Sequence, residues 1–488
     1  MNRAARFFAF FFCAVFCALF ITSREIAPAP GGESSGNILT GVRIPPLRFR
    51  RPEIKENLLS SGVRLFSLND PELPMVTLEL QFRGGLDSEP VADAGILDAS
   101  LELLKIGGAG DKSGEEIARA LSSMGVRLSF DSSYEYWSIS LTSLRRDFDA
   151  AFAVLRDILL KPRLNPEKLE VIKTSLRASL RRRNDRPGNI ARRKMREILY
   201  PGRRRGYFLK EKNIRRLSVE RVRSELKRRL TGAKITAALS GDIENLDVAG
   251  RLNGLIAKFP RGRSPLRAES PRPRLYELNE RARGNIVLVA HPTVQSVITI
   301  GAYLPPHNHR DFFALQMSNY ILGGGSFNSR LMREVRVKRG LAYYAYSYNG
   351  FFGRDGRFVA SSATRVRTTA AALRVMLEVI QGMDEGVSAG ELKLARDSIL
   401  NALVFQFSNP AAILLSELRF RRHNLSPDYM KRFPNKIRSL KKEAVRDVAR
   451  YRNAKNLFIV VVGPRSLEES LKKIRPVVVI KPDDPPPE

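Results

Sequence analysis

LGGGSFNSRLMREVRVKRGLAYYAYSY, residues 322–348, decides how the rest of the chain is read. Gly323, Gly324 and Gly325 open it, and their backbone reaches turn conformations closed to other residues. Leu331, Met332 and Val335 then fall on one side of a short helix, with Arg333, Glu334, Lys338 and Arg339 elsewhere. Gly340 supplies the stop. Alternation over 341–348 predicts a strand with Tyr344, Tyr346 and Tyr348 on one face and Tyr343, Ala345 and Ser347 on the other. Arg336 therefore ends a helix, and Tyr343, seven residues on, begins a strand. A guanidinium and a phenol brought together there donate hydrogen bonds to one carbonyl oxygen. Spacing alone favours a plainer reading, a helix-end cation and a core ring.

Working outward, the same order of elements occurs twice. Strand patterns at 63–68 and 75–82 precede helices reaching Gly107 and Gly125, then strands at 126–133 and 136–143. Helices at 146–160 and 165–183 follow, and 231–243 closes with a strand. At an offset of 223, Leu169, Val171, Leu176 and Leu180 meet Leu392, Leu394, Ile399 and Leu403. LSVERVRSEL from Leu217 meets LKKEAVRDVA from Leu440 at the same offset. One residue short of it, Ile235 and Gly241 meet Leu457 and Gly463. The pattern predicts an α+β fold of two homologous domains, each an antiparallel sheet packed with helices. Their expected limits are 55–269 and 286–475, with linkers at 24–54 and 270–285 and a disordered tail at 476–488.

At 488 residues, two or more cores are expected. Residues 1–23 read as a signal peptide, with Arg3 and Arg6 before an apolar run at 7–21, and an uncleaved membrane anchor is the alternative. Cys13 and Cys17 both lie in that segment, so the exported protein carries no thiol chemistry. The net charge of +33 points toward anionic surfaces or acidic partners. Its runs, at 181–183, 192–194 and 203–205, lack the interleaved aromatics of a nucleic-acid platform. The expectation is a solvated basic surface that touches anionic membrane and binds no nucleic acid.

The repeated unit, the S-x-L-x-x-E-x-R helix and the glycine-then-tyrosine strand resemble the insulinase/pitrilysin family of zinc peptidases over about 55–470. The likeness is to two-domain bacterial members, and the chain is similar also to mitochondrial processing peptidase. It implies that Arg336 and Tyr343 hold substrate. Active members carry H-x-x-E-H on the first helix of the N-terminal half, with a glutamate downstream. Here Asp98, Leu101 and Glu102 occupy those positions, and the downstream one falls near Ala178 or Ser179.

A catalytic zinc needs three protein ligands, an open place for water and a carboxylate base. None of these positions offers an imidazole. His291, His307, His309 and His423 all lie elsewhere. Asp98 and Glu102, at i and i+4, suit a solvated face better than a hard-cation site, and His307 and His309 suit a turn better than a metal site. The glycine run lacks the Lys-Ser or Lys-Thr of a phosphate loop.

With the 1–23 segment, the resemblance implies an exported, periplasmic homologue without a cofactor of its own. It would be the substrate-binding subunit of a two-protein peptidase whose homologous partner carries zinc and whose substrate is a peptide. The alternatives are a non-catalytic binding or scaffold protein and a peptidase using an unrecognised metal site.

Overall fold

Alternating apolar residues build two six-stranded sheets in the computed structural model, which describes residues 52–262, 284–405 and 409–486. The expected signal peptide and most of both linkers lie outside those residues. The first sheet contains β1 (Lys55–Leu58), β2 (Arg64–Asn69), β3 (Met75–Arg83), β4 (Arg127–Ser132), β5 (Tyr136–Leu144) and β6 (Ile235–Gly241), ordered β1-β2-β6-β3-β5-β4. The second contains β7 (Ile286–Ala290), β8 (Gln295–Leu304), β9 (Ala342–Phe351), β10 (Gly356–Arg365), β11 (Phe458–Gly463) and β12 (Val477–Ile480), ordered β12-β7-β11-β8-β10-β9.

Apart from β1 and β12, the two orders match strand for strand. The fold class is α+β with two homologous domains, but the sheets are mixed rather than antiparallel throughout. β2 pairs parallel to β6, and β7 pairs parallel to β11 and β12. These partners are separated by long helical crossovers, the connection a parallel pair requires.

Each sheet packs its own helices on one face. On β3, Val76, Leu78, Leu80 and Phe82 point into that core. The opposite face receives a helix from the other half. Pro187–Leu199, from the first half, lays Ile190, Met195 and Ile198 on Val287, Val297, Phe458 and Val460 of the second sheet. Pro410–Arg422 lays Ile413, Leu414 and Leu418 on Phe66, Leu68 and Ala238 of the first. Both helices start with proline at the first turn, where its missing N–H is no loss. They lie 223 positions apart, the repeat offset seen in the sequence. The halves are therefore reciprocally strapped.

Two expectations need correction. Residues 477–480, placed in the tail, form β12, because Val477, Val478, Val479 and Ile480 are β-branched and extend the sheet beside β7. The basic runs are only partly solvated: Arg193, Lys194 and Arg205 are buried. Lys194 Nζ donates to Glu197 Oε2 at 2.7 Å, and Arg193 reaches the Pro482 carbonyl at 2.7 Å. Asp483 accepts from Arg183 and Asn184, so the start of the acidic end is docked. These cations are internal ties whose desolvation is met by acids.

Candidate functional site

The segment quoted first forms one continuous surface feature at the edge of the second sheet. Gly323 and Gly324 extend the helix Phe312–Asn319 as a wide turn, and no left-handed φ is needed at any of the three glycines. Their service is close approach: a Cβ on Gly323 would lie 2.5 Å from the Ser347 backbone N of β9. The left-handed residue is instead Ser326, with φ +52°. Leu331, Met332 and Val335 are buried as the pattern predicts. Met332–Val337 is wound as a π-turn, and Gly340, with φ +58°, ends it.

The register of β9 places Tyr343. Ala342 faces Thr364 and Tyr344 faces Ala363, so Tyr343 is the extra residue of a β-bulge. A bulge re-aims its side chain. Ala345 and Ser347 are buried, whereas Tyr343 is 77% exposed and turned away from the face simple alternation assigns it. That turn carries its ring to 4.8 Å from the Arg336 guanidinium carbon, with the Phe327 ring 5.0 Å away. Phe327, which sequence reasoning missed, is 61% exposed. Its signal in the sequence was a large aromatic two residues behind a glycine run.

The nearby acids leave Arg336 alone. Glu334 takes hydrogen bonds from Lys338 and Arg339, which hold its carboxyl at about 2. Arg330 bonds Glu391 at 2.7 Å and the Gly386 carbonyl at 2.9 Å, anchoring the turn from below. Neither the Arg336 guanidinium nor the Tyr343 hydroxyl has a hydrogen-bond or ion-pair partner among the described residues. Both therefore keep donors for a carbonyl oxygen. Among the described residues β9 has β10 on one side and no strand on the other, so it is an edge strand.

The degenerate metal positions sit on the first-half helix Ile96–Ile106. Asp98 is exposed and accepts from Ser132, Glu102 lies 3.7 Å from Lys105, and Leu101 is core, 3% exposed. Ala178 and Ser179 lie on the neighbouring helix Pro166–Arg181 and bring no ligand atom of the needed kind. No group of three His, Cys, Asp or Glu side chains able to hold a metal occurs among the described residues. This donor set does not fit zinc. Among the described residues no hydrogen bond or ion pair joins Asp98 or Glu102 to Arg336 or Tyr343.

The histidines are deployed otherwise. His307 is buried, with Nδ1 2.7 Å from His423 Nδ1 and Nε2 3.2 Å from the Tyr429 hydroxyl. His423 Nε2 reaches Glu135 Oε2 of the first half at 3.2 Å, and Glu135 Oε1 accepts the Gly353 N–H at 2.7 Å. Burial and nearby positive charge pull His307 down to about 3, so it stays neutral. Burial alone would raise Glu135, but the bonds from His423 and Gly353, with Arg205 beside it, hold it at about 2. His309 turns instead to Asp311, accepting its N–H at 3.1 Å.

Comparison with known proteins matches this architecture. The insulinase (peptidase family M16) model covers residues 64–209, and the peptidase M16 inactive-domain model covers 216–399, together more than half the chain. The chain belongs to the insulinase family. It is 23% identical over 418 residues to an uncharacterized zinc protease of Streptomyces coelicolor, covering 84% of this chain and 90% of that one. It is 24% identical over 338 residues to the non-peptidase homolog YmxG of Helicobacter pylori, covering 68% and 75%. A peptidase M16 inactive-domain structure from Pseudomonas fluorescens superposes with a TM-score of 0.76 at 23% identity, covering 84% and 98%. The periplasmic protease PqqL of Escherichia coli superposes at 0.72 with 15% identity, covering 92% of this chain and 49% of that one.

Proposed function

We propose that this insulinase-family chain is the exported, substrate-binding subunit of a two-protein zinc peptidase, with zinc carried by a homologous partner. The observation that carries the reading is the Arg336–Tyr343 pair, 4.8 Å apart with unspent donors, in a chain whose metal positions hold Asp98, Leu101 and Glu102. In that assembly Arg336 and Tyr343 donate to the carbonyl oxygen of the scissile peptide and steady the charge it gains. The partner's metal site supplies the hydrolysis. The edge of β9 offers backbone groups to an extended peptide. Export rests on the 1–23 segment, and the periplasmic PqqL neighbour is in keeping with it. No helix of the described residues is long and apolar enough to cross a membrane.

The test is to assay unstructured peptides with the purified chain alone, with a zinc-bearing homologue alone, and with both. Cleavage only in the mixture, abolished by Arg336→Ala and reduced by Tyr343→Phe, supports the reading. Equal cleavage by the homologue with or without this chain would sink it. That result would favour a non-catalytic binding protein, the role in keeping with the non-peptidase description of the Helicobacter pylori relative.

A further inference from the structure

Tyr344, Tyr346 and Tyr348 project from the face of β9 opposite Ala345 and Ser347, with successive ring centroids 5.5 and 6.3 Å apart. The helix Pro187–Leu199 packs on β8 and β11 and leaves a cavity of about 80 Å³ between itself and these rings. Burial pushes the Tyr344 and Tyr346 hydroxyls up, so both remain neutral donors.

Two arginines line this cavity without a mate. Arg192 comes from the helix and Arg357 from β10, and neither guanidinium has a hydrogen bond or ion pair to another described residue, though that of Arg357 lies 5.6 Å from the Phe352 ring. The Nε of Arg357 is buried with no acceptor. Arg196, which also lines the cavity, is by contrast committed to the Arg205 carbonyl at 3.1 Å and to the Tyr134 hydroxyl. Gly188, in the helix's first turn, lines the same space, so the positive end of the helix adds to the field. The equivalent helix of the second half has its end capped by Asn409, which accepts the Ala412 N–H at 2.9 Å, whereas Arg186 gives no such cap.

Unspent guanidinium donors in a partly desolvated cleft favour an oxyanion, because charge-assisted bonds replace the lost hydration. The volume admits a single carboxylate and the methylenes behind it, and the tyrosine rings offer a platform beside it. We infer that this cavity is a carboxylate-binding subsite, taking an acidic side chain or the C-terminal carboxylate of an extended peptide. The inference rests on the peptide-binding reading above for the kind of ligand. It places acidic peptides, rather than basic ones, among this subunit's substrates.

The experiment uses the whole chain without a partner and measures peptide affinity by fluorescence anisotropy. Four labelled peptides share one unstructured sequence: glutamate-bearing, glutamine-bearing, and each again with an amidated C-terminus. The glutamate peptide should bind about tenfold more tightly than its amidated glutamine analogue. Arg192→Gln with Arg357→Gln should abolish that difference, while Arg310→Gln, a surface control, should preserve it. Loss on Glu→Gln assigns the side chain as the ligand, and loss on amidation assigns the terminus. Equal affinity for all four peptides, or a preference that survives the double variant, overturns the subsite and leaves the Arg336–Tyr343 reading standing. Absence of binding to any peptide overturns both. Comparison of the four peptides on the unaltered chain decides the matter even if a variant misfolds.

Discussion

His423 and Glu135, 288 positions apart in the chain, meet at 3.2 Å and tie the second half to the first. Tyr429 and His307 continue the chain of polar contacts behind them. A histidine whose folded value is depressed contributes stability that is whole above its unfolded value and is lost as pH falls. For His307 the window runs from about 6.5 down toward about 3. For Glu135, also depressed, it runs from about 4.5 down toward about 2. Thermal midpoints should therefore fall steadily from pH 6.5 to pH 4, by a few kcal/mol of stability. His307→Gln should lower the midpoint at pH 7 and flatten that fall. An unchanged slope in the variant would remove His307 from the account.

Glu79 works with the opposite sign. It is buried on β3 among Gln81, Ser138 and Ser140, and burial raises it to about 7. Stability linked to a raised carboxyl is present below its unfolded value and is lost as pH climbs through the folded one. Glu79→Gln should therefore stabilise the protein by roughly 1–3 kcal/mol at pH 8 and make no difference below pH 4. Denaturant midpoints at the two pH values check it, and an equal effect at both would contradict it.

The Phe327 ring, 5.0 Å away, supports the Arg336 guanidinium. At so exposed a site the contact contributes about 0.5–1 kcal/mol. Phe327→Ala should reduce cleavage by the two-protein mixture about two- to fivefold, with the thermal midpoint unmoved. Phe327→Tyr should restore it. A drop in stability that accounts for the activity loss would make Phe327 a packing residue only.

The first helix should resist conversion to a zinc site. Leu101 is 3% exposed in the core, and an ionised glutamate there costs about 3 kcal/mol or more. Asp98→His with Leu101→Glu and Glu102→His should therefore lower stability sharply and still bind no stoichiometric zinc, since neither Ala178 nor Ser179 completes the set. Metal analysis after desalting, beside a denaturant curve, reads both effects.

The repeat was legible because it is written in spacing: Leu169 and Leu392 keep one offset and occupy equivalent helices, and the structure adds Pro187 and Pro410 at the same offset. Arg336 and Tyr343 were legible as a pair for the same reason. What escaped was whatever depends on long-range placement. The bulge at Tyr343 is a property of its pairing with β10, invisible in the alternation of 341–348. The meeting of His423 with Glu135 requires the helix Pro410–Arg422 to lie on the sheet of the other half. The burial of the basic run at 192–194 escaped because, besides the local Glu197, the run is met by Asp483, nearly three hundred residues away.

The reciprocal straps have a consequence for how the protein comes to exist. While the chain emerges from a ribosome, the first sheet has no cover for Phe66 and Leu68 until Leu414 and Leu418 arrive. The nascent first half should stay a client of chaperones for most of synthesis, and a fragment ending at residue 262 should bind a hydrophobic dye that the whole chain excludes. A fold that postpones its own completion in this way makes a late-synthesised helix the keystone of the first-made sheet.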